Sequence, residues 1–164
     1  MVYLYVQTNE VMILKGTNNN ESCNCKLDTC LFFSTSKLAR EFGKIAEEAF
    51  GKTGLSTSHA LILYMVNQEG ELPQKEIGEK LHLTPSTITR FIEKLVRKKL
   101  VAKRTEGKNV FICTTEEGLL LQEEIIRSWN RLHDAYKDIL TEEEALQFIT
   151  ISSKLIEKLQ NQDN

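Results

Sequence analysis

The most restrictive stretch of this sequence runs from Gln74 to Thr115 and centres on the segment TPSTITRFIEKLV that begins at Thr84. A threonine able to cap a helix precedes a proline at the first helical position, where a missing N–H costs nothing. Ile88, Phe91, Ile92, Leu95 and Val96 then recur at spacings of three and four, which buries one face of a helix. The opposite side carries Ser86, Thr87, Arg90 and Lys94, with Thr89 at its border. Upstream, Gln74 to His82 is predicted as a shorter helix burying Ile77 and Leu81. Downstream, Leu100 to Arg104 and Lys108 to Thr114 alternate as two strands, with the turn near Glu106-Gly107. Val110 and Ile112 share one face, Phe111 and Cys113 the other. A short helix, a tight turn, a longer helix and a basic hairpin, in that order, describe a winged helix-turn-helix.

The chemistry of the second helix fits that geometry. Small hydroxyls permit close approach to base edges, and an arginine can grip guanine with two hydrogen bonds. Ser86, Thr87, Thr89 and Arg90 are therefore the candidate base-reading residues. Arg104 and Lys108 flank the hairpin tip, where they are expected to reach the phosphate backbone or an adjacent minor groove.

The net charge of −2 hides an uneven distribution. Arg90, Lys94, Arg97, Lys98, Lys99, Lys103, Arg104 and Lys108 face only Glu93 and Glu106 in one run. From Glu116 to Glu144 acids dominate, with Arg127, Arg131 and Lys137 against them. Such a split makes one region attractive to polyanions and turns them away from another. The apolar fraction of 41% and the charged fraction of 27% are ordinary for a globular chain. No apolar run approaches the roughly 18 residues that span a bilayer. The opening MVYLYVQTNEVMILKG lacks a basic leader, so cytoplasmic residence is the default expectation.

The flanks read as follows. Residues 1–26 are an N-terminal extension, disordered or a strand-like arm packed on the core, with Met12 as an alternative start. Residues 27–54 hold a first long helix, capped by Asp28 or Thr29 and closed by Gly51 and Gly54. Its stripe of Leu31, Thr35, Leu38, Phe42, Ile45 and Ala49 suits either an intramolecular core or a dimer interface. Residues 55–115 form the reader, starting with a helix from about Ser56 to Gln68, and Glu71-Leu72-Pro73 is expected as a connector or small strand pairing with the hairpin. Residues 116–164 hold two more helices. The first, capped by Thr115, is expected to run to about Leu140. The second starts at Thr141 and carries Ala145, Phe148, Ile149, Ser152, Leu155, Ile156 and Leu159 on one face. Two amphipathic helices beyond the needs of a small reader point to pairing of two subunits. The expected architecture is one folded domain, mainly α with a small β-hairpin wing.

The segments CLFFSTSKLAREF, GLSTSHALILYMV, QKEIGEKLHLTPSTITRFIEKLVRKKLVAKR and TTEEG resemble the MarR family of winged-helix transcriptional regulators over about Cys30 to Leu159. The resemblance implies a homodimer with interlocked terminal helices, binding double-stranded DNA at a near-palindromic operator. It implies a repressor released by a small, often phenolic, molecule or by thiol oxidation. By position, Ser86, Thr87, Thr89 and Arg90 would face the major groove, Lys94 a phosphate, and Arg104 and Lys108 would lie in the wing. The family's Asp-x-Arg wing element is absent here, where the tip is Arg-Thr-Glu-Gly-Lys.

Cys30 sits where redox-sensing members of the family place a reactive cysteine. A helix N-terminus favours the thiolate. Asp28 opposes it, and Leu31 and Phe32 can bury the sulfur as an inert thiol. Cys23-x-Cys25 with Cys30 raises capture of a soft metal or metalloid, although the spacing matches no usual zinc pattern; no metal or cofactor is assigned. His59, His82 and His133 are scattered and read as surface or capping residues. Trp129 and Tyr136 read as core or as the lining of an effector pocket. No nucleophile arrangement, glycine-rich phosphate loop or helical metal-hydrolase motif appears, so no enzyme is expected. The competing expectation is a winged helix that docks protein without reading DNA.

Overall fold

The computed structural model describes residues 3–7, 10–14 and 30–161. The chain divides into two units, residues 1–45 and 46–164.

In the first unit, strands β1 (Tyr3–Gln7) and β2 (Glu10–Leu14) pair antiparallel, with Tyr5 opposite Met12. These strands are rich in β-branched and aromatic residues, and the rest of the extension expected over residues 1–26 lies outside the described residues. Helix α1 (Leu31–Phe50) begins directly after Cys30, whose carbonyl accepts the Ser34 N–H at 2.9 Å. Leu31, Phe32 and Leu38 on it are exposed. The expected caps Asp28 and Thr29, and the pair Cys23 and Cys25, lie outside the described residues.

The second unit begins with the last turn of α1, where Ala49 and Phe50 are buried. A 3-10 turn at Gly51–Thr53 leads to α2 (Thr57–Glu69), β3 (Glu71–Pro73), α3 (Gln74–Lys80), α4 (Pro85–Arg97), β4 (Val101–Glu106) and β5 (Asn109–Thr114). The sheet order is β3-β5-β4, all antiparallel, with Leu72 opposite Ile112 and Arg104 opposite Phe111. The small strand at Glu71–Pro73 thus pairs with the hairpin as expected. Ile62, Leu63 and Val66 of α2, Ile77 of α3, Ile88, Ile92 and Leu95 of α4, Ile112 of β5 and Ile125 beyond the sheet form one buried cluster.

Helices α3 and α4 end the same way. After α3, Leu83 N–H bonds to Gly78 O and His82 N–H to Glu79 O, with His82 at φ 50°. After α4, Leu100 N–H bonds to Leu95 O and Lys99 N–H to Val96 O, with Lys99 at φ 61°. These paired bonds are the Schellman arrangement, which normally recruits glycine for its left-handed residue. They stop α3 at Lys80, two residues before the expected end at His82.

The expected single helix from Thr115 to Leu140 is interrupted. It forms α5 (Glu116–Leu120) and α6 (Gln122–Tyr136), with Leu121 between them. Asn67 on α2 explains the break. Its amide donates to Gly118 O at 2.8 Å and to Gln122 Oε1 at 3.1 Å, and the same Gly118 carbonyl accepts the Leu121 N–H at 3.2 Å, a tighter turn than a continuous α-helix makes. Thr115 caps α5 through Gly118 N–H at 3.0 Å and donates its hydroxyl to Lys99 O. Gly118 is obligatory here, because a Cβ would stand 2.1 Å from Leu100 O. On α6, Trp129 meets Phe50 edge-on at 5.3 Å, and Arg131 donates twice to Ala49 O. Trp129 is therefore part of the packing around Phe50. The final helix, α7 (Glu142–Gln160), opens on a reciprocal Thr141–Glu144 capping box, and none of its residues is buried. No helix among the described residues is long and apolar enough to cross a membrane.

Candidate nucleic-acid interface

Helix α4 is anchored from beneath. Ile88, Ile92 and Leu95 are at most 2% exposed, and burying each such side chain contributes about 1.5–3 kcal/mol. That anchoring fixes which residues the helix can present. Its front turn is fixed as well, since Thr84 Oγ1 accepts the Thr87 N–H and donates to Thr87 Oγ1 at 2.9 Å. Pro85 follows the cap at the first helical position.

On this frame Ser86 and Arg90 are exposed, Thr87 and Thr89 are half-buried, and Lys94 is exposed one turn after Arg90. Arg90 and Lys94 form no ion pair among the described residues. Their charge is available to an incoming polyanion. The Thr89 hydroxyl is committed internally: it donates to Pro85 O at 2.8 Å and accepts from Gln74 Nε2 at 2.9 Å. Gln74, the first residue of α3, thereby ties α3 to α4. The sequence holds no signal for this contact, which joins positions far apart in the chain.

His59 packs under the same helix. It is 5% exposed, its ring lies 4.8 Å from that of Phe91, and its Nδ1 pairs with Ser56 Oγ at 2.5 Å. Burial pushes the imidazole below its ordinary value, and Lys94 and Lys98 add to the effect. The residue expected at the surface or at a cap is thus both a partner of the α2 N-cap serine and a buried neutral base.

The wing differs. Gly107, at φ 60°, turns β4 into β5, and Lys108 is exposed at the tip. Arg104, expected to reach outward, is engaged by its own sheet. Its Nε and Nη2 donate to the Glu71 carboxylate at 2.9 and 2.6 Å, and Nη1 donates to Glu106 at 2.7 Å. Its guanidinium stands 4.5 Å over the Phe111 ring. Cys113 donates its thiol to Glu71 at 3.1 Å. Arg104 first and this thiol second hold the Glu71 carboxyl down at about 2. Burial and then Glu71 push the Cys113 thiol up. Neither Glu71 nor Cys113 was assigned a role from sequence, although the expected pairing of residues 71–73 with the hairpin puts both on one small sheet.

Cys30 is half-buried with a free thiol. Among the described residues no group of three or more His, Cys, Asp or Glu side chains gathers to hold a metal ion.

The model of the MarR family matches residues 55–109, which spans α2 through the wing turn. The HTH-type transcriptional repressor MdtR of Bacillus subtilis (strain 168) is 30% identical over 111 residues, covering 66% of this chain and 72% of that protein. The organic hydroperoxide resistance transcriptional regulator of the same organism is 28% identical over 110 residues, 65% of this chain and 75% of its own length. Among solved structures, the S. aureus MepR–DNA complex shares the fold with a TM-score of 0.70 at 20% identity, over 79% of this chain and 97% of that one. With its reader covered by the family model and a 30%-identical repressor matched over 72% of its length, the chain belongs to the MarR family of winged-helix transcription regulators.

Proposed function

We propose that the protein is a homodimeric repressor that reads a near-palindromic operator through α4. The observation that carries this is the pairing of a deeply anchored α4 with exposed cations that no carboxylate among the described residues engages. A helix held rigidly by Ile88, Ile92 and Leu95 presents Ser86, Thr87 and Arg90 in a fixed pattern, as base readout requires. Lys94 and Lys108 are positioned for phosphate. Thr89, whose hydroxyl is bonded to Gln74 and Pro85, helps to fix the helix rather than donating to a base.

The dimer is supported by α7. Leu146, Phe148, Ile149, Ile151, Leu155, Ile156 and Leu159 are all exposed on it. Such a surface is more apolar than a monomer ordinarily leaves uncovered. A second copy covers it and sets the spacing of two readers. The repressor named among the relatives supports the sign of regulation.

Release by a small ligand or by thiol oxidation completes the proposal. The free Cys30 thiol at the start of α1 supports the oxidative route, together with the relative named for organic hydroperoxide resistance. Hydroperoxide is expected to release DNA from the native protein and not from Cys30→Ser; equal release from both excludes Cys30 as the switch. The function itself is tested by offering the purified protein a random duplex pool. Enrichment of a two-fold symmetric sequence is expected, with affinity falling steeply as salt rises. Absence of any enrichment rejects the reading in favour of a protein-docking winged helix.

A further inference from the structure

Within the DNA-reading function proposed above, on which this inference rests, we propose that Glu71 and Glu106 buckle Arg104 into the wing's own sheet, so that Lys108 supplies the wing's backbone contact and Arg104 supplies none. Arg104 on β4 and Glu71 on β3 flank the central strand β5, and the guanidinium crosses it above Phe111. Three hydrogen bonds at 2.6–2.9 Å consume donors from both edges of the guanidinium fork. A bidentate pair of this kind matches the planar geometries of both groups and is stronger than a point-charge contact. The locus of Arg104, Glu71 and Glu106 carries one positive and two negative charges. A phosphate approaching Arg104 would therefore meet two carboxylates.

The Glu71 arm of the buckle persists through ordinary changes of pH, because that carboxyl is held at about 2. The Cys113 thiol, donating to the same carboxylate, further fixes its orientation. By contrast, Lys108 at the tip and Lys103 on β4 are exposed and form no ion pair among the described residues. Glu71 is on this account a positioning residue for DNA binding. It closes the wing across its three strands and withdraws one cation from the interface. Sequence preference then concentrates in the two α4 helices of the dimer, with the wings supplying position.

The test is the salt dependence of binding to the site enriched from the random pool, measured for full-length variants. Each phosphate contact contributes about 0.9 to the slope of log K against log salt. Lys108→Ala is expected to lower the magnitude of the slope by about one such contact per wing. Arg104→Met is expected to leave it unchanged. Glu71→Gln combined with Glu106→Gln is expected to steepen it, because Arg104 is set free. A slope that falls for Arg104→Met as it does for Lys108→Ala overturns the proposal, as does an unchanged slope in the double variant.

A second readout needs no DNA and does not depend on a variant folding. In the wild-type protein the Arg104 Nε–H resonance is expected to be resolved at neutral pH and to keep its shift when DNA is added. Its absence in the free protein, or a large shift on binding, contradicts the buckle. Loss of all salt-dependent binding in the wild type would instead reject the DNA-reading function while leaving this resonance to report on the wing.

Discussion

Arg90 on α4 and Arg104 on β4 belong to the same basic run of sequence. Arg90 is exposed with no carboxylate partner among the described residues, whereas Arg104 is shared between Glu71 and Glu106. The difference comes from what each element is anchored to. Helix α4 sits on an apolar stripe and leaves Arg90 and Lys94 on its polar side without a carboxylate partner among the described residues. The wing is a three-stranded sheet with one buried face, defined by Leu72, Val101 and Ile112, and it ties its other face together with polar groups. A count of basic residues measures the charge a chain carries, and packing decides how much of it a partner can use.

The largest expected effect lies at the anchor beneath α4. Ile92→Ala removes a fully buried side chain beneath α4 and should cost about 2–5 kcal/mol of stability in denaturant unfolding. A cost below about 1 kcal/mol would mean that α4 is not the pillar described. Next comes the front of the helix, where Thr84→Ala removes the cap on Thr87 N–H. The expected loss is about 1 kcal/mol. The tie between α3 and α4 is sharpened by two substitutions at Thr89. Thr89→Val deletes the hydroxyl bonded to Gln74 and Pro85 and should lose about 0.5–1.5 kcal/mol, while Thr89→Ser should retain most of that stability. The reverse order would show that the hydroxyl is not what joins the helices.

The smallest effect is a pH dependence beneath α4. His59 has a folded value lowered by burial and by Lys94 and Lys98, so the fold favours the neutral ring. Its contribution is complete above the ordinary histidine value of about 6.5 and is lost as pH falls through the lower folded value. The melting temperature should therefore fall as pH drops below about 6.5, and His59→Gln should flatten that part of the decline. An unchanged profile in the variant would place the pH dependence elsewhere.

Much of α4 was legible because its determinants are local. Thr84, Pro85 and the stripe beginning at Ile88 act within a few residues of one another, and the structure places cap, proline and buried face as expected. The wing's strands and the small strand at Glu71–Pro73 were legible from alternation and a turn glycine. The end of α3 was not, because His82 takes a left-handed conformation usually reserved for glycine or asparagine, as Lys99 does after α4. The break at Leu121 was not legible either, since Asn67 imposes it from another helix. The same holds for the site. Exposure of Ser86, Arg90 and Lys94 followed from helical periodicity, but the committed state of Thr89 and Arg104 depends on Gln74 and Glu71, partners distant in sequence.

The central claim is that α4 reads DNA through Arg90. Its most direct test is the affinity and base preference of Arg90→Ala against the native protein on the site enriched from a random pool. A loss of about 1–3 kcal/mol in binding, with relaxed preference at one position of each half-site, is the predicted result. Unaltered affinity and unaltered preference would contradict it.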